Sequence, residues 1–244
     1  MITGSTGQLG NALGKVFKSR YDLVSTSRTK PSKSTNYFLD ITNSLLVKDM
    51  VSAISPDIII NLAALTNVDL CESNPDLAHA INFQGVKNLV NVFKGPIIHL
   101  STDYVFDGTA SVPYQETDNC DPINAYGQSK YEGEQRLTKA KCLQTTFRIS
   151  WLFSPFGTNF VKSILRFSKI KKQLNVVDDQ WGRPTYGVDL ARTVLTYIDQ
   201  PTFFDYSCYH FAHGGATTWF YFAQKIVGLT KSPCKLLPLS LIHI

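Results

Sequence analysis

A tyrosine and a lysine stand four residues apart in the segment 124–130, which reads NAYGQSK. On a helix, side chains at this spacing share one face, so Tyr126 and Lys130 would be neighbours. A nearby ammonium favours the phenolate and would lower the pKa of the tyrosine toward neutral pH. Tyr126 could then exchange a proton with a carbonyl or an alcohol. The spacing alone is weak, because 11 tyrosines and many lysines also produce it by chance on a solvated helix face.

Hydroxyl and carboxyl side chains follow an apolar run upstream of this pair. Residues 96–100 (PIIHL) predict a buried strand, and Thr102, Asp103 and Tyr104 come soon after it. The carboxyl ends of parallel strands face the ligand crevice of an open sheet. We therefore expect Thr102 to hydrogen-bond the same reacting oxygen as Tyr126.

A glycine-rich segment near the N-terminus predicts a dinucleotide site. Ile2 and Thr3 lead into residues 4–10 (GSTGQLG), after which apolar residues recur at helical spacing. Glycines in such a strand–turn–helix let backbone amides approach a pyrophosphate at the helix N-terminus. A lone glycine triplet would also fit an ordinary loop. The cofactor contacts expected here are Gly4, Thr6, Gly7, Gln8, Leu9 and Gly10.

The end of the second predicted strand, Tyr21 to Thr26, indicates which dinucleotide is bound. An acidic residue there would hold the ribose 2′-hydroxyl of NADH, but the sequence offers Ser27, Arg28 and Lys30 instead. Hydroxyls and cations suit a 2′-phosphate. NADPH is the expected cofactor and NADH the alternative. Arg28 could also be a surface loop residue that does not contact the cofactor.

Together, the glycine loop, Thr102 and the Tyr126/Lys130 pair resemble the active site of the extended short-chain dehydrogenase/reductase superfamily. The resemblance implies an α/β fold, a doubly wound parallel Rossmann-like sheet with helices on both faces. It also implies adenine contacts near Asp40 and Ile41. Small residues after the apolar run 58–62 should let the cofactor lie close. The further cofactor contacts expected are Ala63, Ala64, Thr66, Tyr126 and Lys130.

A closer resemblance rests on longer motifs in the same order along the chain. Residues 101–106 (STDYVF), 122–127 (PINAYG) and 176–185 (VVDDQWGRPT) resemble the dTDP-4-dehydrorhamnose reductase family, and the match runs from Ile2 to about Pro238. Asn82, inside a predicted helix, resembles the superfamily's supporting asparagine. The substrate contacts expected from the resemblance are Thr102, Asp103, Tyr104, Trp151 and Arg183.

The resemblance implies reduction of the 4-keto group of dTDP-4-dehydro-L-rhamnose to dTDP-L-rhamnose. Tyr126 would donate the proton, while Lys130 would lower the pKa of Tyr126 and hold the nicotinamide ribose. Two alternatives stay open. Another nucleotide-sugar epimerase or dehydratase of the superfamily would use the same pair, and a non-catalytic regulatory subunit of methionine adenosyltransferase would keep the fold alone.

Composition and length limit the remaining possibilities. The chain has 43% hydrophobic residues, 18% charged residues and a net charge of +5 from dispersed lysines, which indicates neither nucleic-acid nor membrane partners. Five scattered cysteines indicate reduced thiols in a cytoplasm. Some family members form metal-bridged dimers, but Ala12 stands where an acidic residue would be needed. We expect no metal, and a homodimer, if formed, without a metal bridge.

The expected organisation is a dinucleotide-binding domain over residues 1–150 and a substrate-binding portion over 151–244. Residues 174–198 are expected to return to the first domain. Both ends look shorter than in the family, so the substrate-binding portion is expected to be incomplete. Residues 239–244 resemble a translated sequencing adaptor more than a reductase segment.

Overall fold

The structure is a computed structural model that describes residues 1–29 and 36–243, so Lys30 lies outside the described residues. The strands are β1 Ile2–Thr3, β2 Ser25–Ser27, β3 Asn36–Phe38, β4 Ile59–Asn61, β5 Ile97–Thr102, β6 Gln144–Ile149, β7 Leu152–Phe153, β8 Gln173–Val177, β9 Trp181–Gly182, β10 Thr185–Tyr186, β11 Cys208–Phe211, β12 Thr217–Thr218 and β13 Lys235–Leu239. The helices are α1 Gln8–Phe17, α2 Ser44–Ile54, α3 Val68–Ser73, α4 Pro75–His79, α5 Gly85–Val92, α6 Ala125–Thr138, α7 Phe160–Ile170, α8 Gly187–Tyr197 and α9 Trp219–Thr230.

The main sheet has the strand order β11-β6-β5-β4-β1-β2-β3 within the described residues, and neighbouring strands pair in parallel. The chain proceeds from β1 outward to β3, then returns to β4 on the other side of β1 and continues outward. The order therefore reverses between β1 and β4, which is where ligands bind in open α/β sheets. The predicted doubly wound fold is confirmed by this seven-stranded parallel order with helices on its faces.

Alternating residues of the central strands supply one hydrophobic core on each face of the sheet. Ile60 and Ile98 pack with helices α1 and α8 in one cluster. Ile59 and Ile97 pack with α2, α5 and Leu137 of α6 in the other. Successive side chains on a strand point to opposite faces, so an uninterrupted apolar run suits strands that are covered on both sides. Helix α6, which carries Tyr126 and Lys130, is held on the second face.

The C-terminal part builds a smaller sheet of its own. Strand β8 pairs with β13 in parallel, and a third cluster joins α7, α9 and Val176 of β8. Residues 174–198 were expected to return to the first domain; of this segment, β8 pairs with β13 and not with the main sheet, whereas helix α8 packs against α1. Gln173 and Asn175 of β8 are exposed, as expected for a sheet with one face open to solvent.

Two further boundaries differ from the sequence expectations. The second strand covers Ser25–Ser27 rather than Tyr21 to Thr26. The helix predicted around Asn82 is interrupted by a π-helical turn, Ala80–Gln84, between α4 and α5. Such turns are rare and occur often at functional sites, because the extra residue re-aims side chains. Here the turn contains Asn82.

Candidate active site

The glycine loop joins β1 to α1 at the point where the strand order reverses. Gly4 has φ +61°, and a Cβ there would lie 2.7 Å from the backbone nitrogen of Ala63, so β1 and the end of β4 can approach this closely only with glycine. Gly7 is the N-cap of α1 and makes no side-chain cap hydrogen bond. The first-turn amides of α1 are therefore available to an anion, which the helix dipole also favours.

A cavity of about 710 Å³ opens over this loop and along the carboxyl ends of the central strands. Every described residue expected to contact the cofactor lines it. These are Gly4, Thr6, Gly7, Gln8, Leu9, Gly10, Ser27, Arg28, Asp40, Ile41, Ala63, Ala64, Thr66, Tyr126 and Lys130. The uncapped helix start, the small residues after β4 and the exposed Arg28 beside Ser27 together fit a phosphorylated dinucleotide.

Thr102 and Tyr126 meet at the centre of the cavity although they lie on different elements. Thr102 ends β5, and Tyr126 lies in the first turn of α6, whose N-cap Asn124 accepts a hydrogen bond from Gly127 N at 2.8 Å. A side chain at position 127 would collide with the carbonyl oxygen of Tyr104. Glycine at this position therefore lets α6 approach the turn after β5 and brings the two hydroxyls together.

Burial, rather than Lys130, dominates the acidity of Tyr126. Burial raises the pKa of this phenol well above its usual value, a hydrogen bond with Thr102 opposes the shift, and the charge of Asp103 adds to it. The expectation that Lys130 lowers this pKa therefore needs correction for the protein without ligand. The phenol keeps its proton throughout the neutral range and is in the acid form.

Lys130 points to the sheet. Its Nζ donates to Leu100 O at 2.5 Å and lies 3.3 Å from His99 Nε2, and no hydrogen bond to Tyr126 is present among the described residues. Burial lowers the pKa of Lys130 to about 8, against an opposing effect of the Glu134 carboxylate. Tyr126 and Lys130 share one face of α6 as the spacing predicts, but their functional atoms have different partners.

Asp103 lines the cavity beside the catalytic hydroxyl candidates. Its Oδ1 accepts a hydrogen bond from Thr102 Oγ1 at 3.1 Å. Burial raises the pKa of this carboxyl to about 6, while the hydrogen bond from Thr102 lowers it. The ring of Tyr104 meets that of Tyr126 edge-on with centroids 5.6 Å apart. A polar ligand entering here would meet two phenols, a hydroxyl and a carboxyl within one wall.

Asn82 supports the site from behind. Its amide donates to Leu65 O at 3.0 Å and to Ser129 Oγ at 2.9 Å, and its Oδ1 accepts from Leu65 N at 2.8 Å. The side chain is buried with all of these groups satisfied. It ties the loop after β4 to α6 in the turn after Tyr126, as the resemblance to the supporting asparagine implied.

Two tryptophans form the far wall of the cavity. Trp151 has φ +47° and stacks on Trp219 with ring centroids 3.5 Å apart. Gly182 lies directly behind the Trp151 indole. Trp181 is 69% exposed and does not line the cavity. Arg183, expected to contact substrate, is exposed outside the lining as well, and its carbonyl accepts from Ser150 Oγ at 2.6 Å.

Sequence reasoning missed some residues that the fold brings to this site. Trp219 and Thr158 line the cavity, and His99 lies buried beneath Lys130. Trp219 could have been found only through its position in a matching block, because its partner Trp151 is distant along the chain. His99 reads as one polar residue in an apolar strand, which signals a specific partner but does not identify it.

A buried ion pair lies under the site. Arg148 of β6 donates from Nη2 to Glu134 Oε2 at 2.8 Å and from Nε to both carboxylate oxygens at 3.2 Å. Both side chains are less than one-tenth exposed. The Glu134 carboxylate raises the pKa of Arg148 against the effect of burial. The pair fixes α6 against β6 one turn beyond Lys130.

Other kinds of site receive no support from the described residues. Within residues 1–29 and 36–243, three or more His, Cys, Asp or Glu side chains do not gather in an arrangement that could hold a metal ion. No helix in the same ranges is long and apolar enough to cross a membrane. The site is therefore described by the cavity, its glycine loop and the wall of hydroxyl groups.

Comparisons with known proteins agree with this arrangement. The family model described as RmlD substrate binding domain matches residues 1–240. A dTDP-4-dehydrorhamnose reductase of Aggregatibacter actinomycetemcomitans is 37% identical over 234 residues, which cover 93% of this chain and 77% of that protein.

Solved structures give the same result. A dTDP-4-dehydrorhamnose reductase of Bacillus anthracis in complex with NADP is 36% identical, with a TM-score of 0.87 over 100% of this chain and 85% of that one. The ortholog from Clostridium acetobutylicum is 38% identical, with a TM-score of 0.88 over 100% of this chain and 84% of that one. Both similarities extend over the whole cavity region.

Proposed function

The chain belongs to the RmlD substrate binding domain family of dTDP-4-dehydrorhamnose reductases, and from this premise we infer its activity. It is an NADPH-dependent oxidoreductase that reduces the 4-keto group of dTDP-4-dehydro-L-rhamnose to dTDP-L-rhamnose. The observation that carries this inference is the meeting of Thr102 and protonated Tyr126 beside the uncapped N-terminus of α1 in one cavity. The activity belongs to dTDP-rhamnose supply for polysaccharide biosynthesis.

We assign catalytic roles to Thr102, Tyr126 and Lys130 from their positions and protonation states. NADPH, when bound, supplies the hydride to the carbonyl carbon. Thr102 and Tyr126 hydrogen-bond the carbonyl oxygen, and Tyr126 gives its proton to that oxygen as negative charge develops. The raised pKa of Tyr126 suits this direction, because the phenol keeps its proton until a strong base forms beside it. Lys130 serves the nicotinamide ribose and Tyr126 once it leaves its contact with Leu100.

Further substrate contacts are proposed along the cavity lining. Asp103 and Tyr104 face the sugar. Trp151, which stacks on Trp219, presents an apolar ring to the sugar or base. The exposed Arg183 would reach the substrate only if a neighbouring segment carried it toward the cavity. The direct test of the function is purified protein with dTDP-4-keto sugar and NADPH, followed by loss of NADPH absorbance and by product analysis.

Arg28→Ala is expected to weaken NADPH binding more than NADH binding. The loss of one charge-assisted hydrogen bond to the 2′-phosphate costs about 1.5 to 3 kcal/mol, which is on the order of tenfold to a hundredfold in affinity. Fluorescence titration of both cofactors measures the difference. Arg20→Ala is the matched control, because Arg20 pairs with Asp199 on the surface at 2.6 Å. Equal losses for both cofactors in Arg28→Ala would remove Arg28 from the 2′-phosphate site.

Trp219→Ala is expected to weaken dTDP binding through Trp151. A stacked aromatic pair contributes about 0.5 to 1.5 kcal/mol beyond its buried area, so the dissociation constant should rise about 2- to 12-fold. Isothermal titration with dTDP measures this change. Trp181→Ala removes an exposed indole outside the cavity and serves as the control. An unchanged constant in Trp219→Ala would separate the tryptophan wall from the substrate.

We also propose a cellular compartment, partners and an oligomeric state for the enzyme. All five cysteines are free thiols, which supports a reducing cytoplasm. A dTDP-sugar is the partner, and neither nucleic acid nor membrane is proposed as one. A homodimer without a metal bridge stays a prediction, which light scattering tests. The division into a cofactor domain over residues 1–150 and a substrate portion after it is likewise proposed, with α8 packed on the former.

A further inference from the structure

A row of polar side chains crosses the centre of the main sheet beneath the active site. Thr3, Asn61 and His99 occupy matching register positions on β1, β4 and β5, and each is at most 1% exposed. Central parallel strands usually bury apolar side chains on both faces, and buried polar groups are costly unless they are hydrogen-bonded. The row ends at Lys130, which is also buried.

The hydrogen bonds of Thr3 determine how the amide of Asn61 is turned. Thr3 Oγ1 accepts from Leu62 N at 3.2 Å and from Ala63 N at 3.3 Å. Its own proton is therefore free to go to Asn61 Oδ1, which lies 2.6 Å away. Because Asn61 Oδ1 accepts from Thr3, the NH₂ group of the same amide points at His99. Asn61 Nδ2 lies 3.0 Å from His99 Nδ1.

The amide in turn determines the tautomer of His99. An amide NH₂ only donates, so Nδ1 must accept and carries no proton. Burial, followed by the charge of Lys130, lowers the pKa of His99 well below its usual value, so the ring is neutral. A neutral ring without a proton on Nδ1 carries it on Nε2, 3.3 Å from Lys130 Nζ. If Lys130 were an ammonium, its N–H would point at the N–H of His99 Nε2, and neither could accept. An uncharged Lys130 amine can accept a hydrogen bond from Nε2–H and still donate to Leu100 O.

We propose that His99 is a positioning residue for Lys130: held as the Nε2–H tautomer by Thr3 and Asn61, it keeps the amine against β5 and favours its uncharged form in the free protein. The proposal rests on the proposed function, in which Lys130 must leave this contact as an ammonium to serve Tyr126 and the ribose. Cofactor binding then takes up a proton at Lys130 whenever the free protein holds the amine.

The charges around Lys130 agree with this arrangement. Glu134 on the same helix is the group that favours the ammonium, but its carboxylate is already paired with Arg148 of β6. From β5 the facing group is His99, and Asp103 after β5 acts on Tyr126. The pKa of Lys130, lowered to about 8, places the change between amine and ammonium within the range that binding experiments can cover.

The first test reads the tautomer directly in the 244-residue protein without ligand. Two-bond proton–nitrogen correlation spectra at pH 9 of protein labelled with ¹⁵N-histidine distinguish Nε2–H from Nδ1–H rings. The His99 ring is assigned from its through-space contacts with Asn61 and Lys130, whose nitrogens lie 3.0 and 3.3 Å from its own. We expect the Nε2–H form. An Nδ1–H ring or an imidazolium at pH 9 overturns the proposal and needs no variant to fold.

The second test follows NADPH affinity between pH 7 and pH 10. Above about pH 8, the dissociation constant should rise about tenfold per pH unit, because one proton is taken up on binding. In Asn61→Asp the carboxylate accepts from His99 Nδ1–H, so Nε2 carries no proton and can accept a hydrogen bond from the Lys130 ammonium. The pH above which NADPH affinity falls (the break) should therefore rise by about 1 pH unit or more. Thr3→Val lets the Asn61 amide turn without adding charge and should move the break in the same direction. Asn91→Asp, an exposed position, controls for added charge.

The outcomes separate this inference from the proposed function. Failure of the wild-type protein to bind NADPH at pH 7 contradicts the function. Binding with a break that stays in place in both variants contradicts the role of His99. A shift in Asn61→Asp without one in Thr3→Val shows that charge rather than the tautomer acts, and it also overturns the inference. Melting temperatures of the variants verify that each one is folded.

Discussion

Tyr126→Phe lowers the turnover of dTDP-4-keto sugar about 10²- to 10⁴-fold, the usual contribution of a placed general acid. The substitution deletes one hydroxyl and leaves the ring, so the edge contact with Tyr104 is kept. NADPH affinity should barely change, because Tyr126 is one of many expected cofactor contacts and the glycine loop and Arg28 are left intact. Steady-state kinetics and a cofactor titration on the same preparation measure both quantities.

Tyr131→Phe is the matched control for this experiment. It removes a hydroxyl from the same helix, five residues farther along, from a half-buried ring that does not line the cavity. Turnover should stay within about twofold of the wild type, since no proton transfer is assigned to it. Near-normal turnover in Tyr126→Phe would mean that another group supplies the proton.

Glu134→Gln lowers the free energy of unfolding by about 3 to 5 kcal/mol. The substitution keeps the shape of the side chain but leaves the Arg148 guanidinium buried without its counter-charge. The cost is large because the pair is buried and Arg148 donates to both carboxylate oxygens. Urea denaturation followed by circular dichroism measures the loss, provided that the slope of the transition is unchanged.

Glu132→Gln tests the same chemical change on the same helix at the surface. Glu132 accepts from His79 at 2.9 Å, but the side chains are 28% and 53% exposed. Exposed pairs contribute about 0 to 1 kcal/mol, so this variant should unfold close to the wild type. A loss in Glu134→Gln no larger than that of the control would show that solvent or neighbouring groups compensate the charge of Arg148.

Local patterns account for most of what sequence reasoning predicted correctly. The strand–glycine–helix start, the apolar runs of β4 and β5 and the helical spacing of Tyr126 and Lys130 each depend on residues close along the chain. Steric rules and periodicity act over such distances, so these elements and the residues lining the cofactor cavity could be named beforehand. The absence of an acidic residue after the second strand likewise pointed to NADPH without a structure.

Predictions that needed a distant partner were weaker. Strand β8 was expected to return to the first domain, but it pairs with β13, which its own residues do not identify as a partner. Arg183 was expected at the substrate because its motif matched, yet the fold leaves it exposed outside the cavity lining. The π-helical turn around Asn82 was missed, and the residues that Asn82 binds there, Leu65 and Ser129, lie far from it along the chain.

Residue types and their spacing were enough to name the groups that could act: a phenol, a threonine hydroxyl, a lysine and a glycine loop in a doubly wound sheet. The protonation of the phenol and of the lysine could be inferred only from the folded protein. Tyr126 keeps its proton because packing buries it, and Lys130 turns to Leu100 O because His99, 31 residues away, lies beneath it. The physical reason is that desolvation and hydrogen-bond partners set a pKa, and both depend on contacts between residues far apart in the chain.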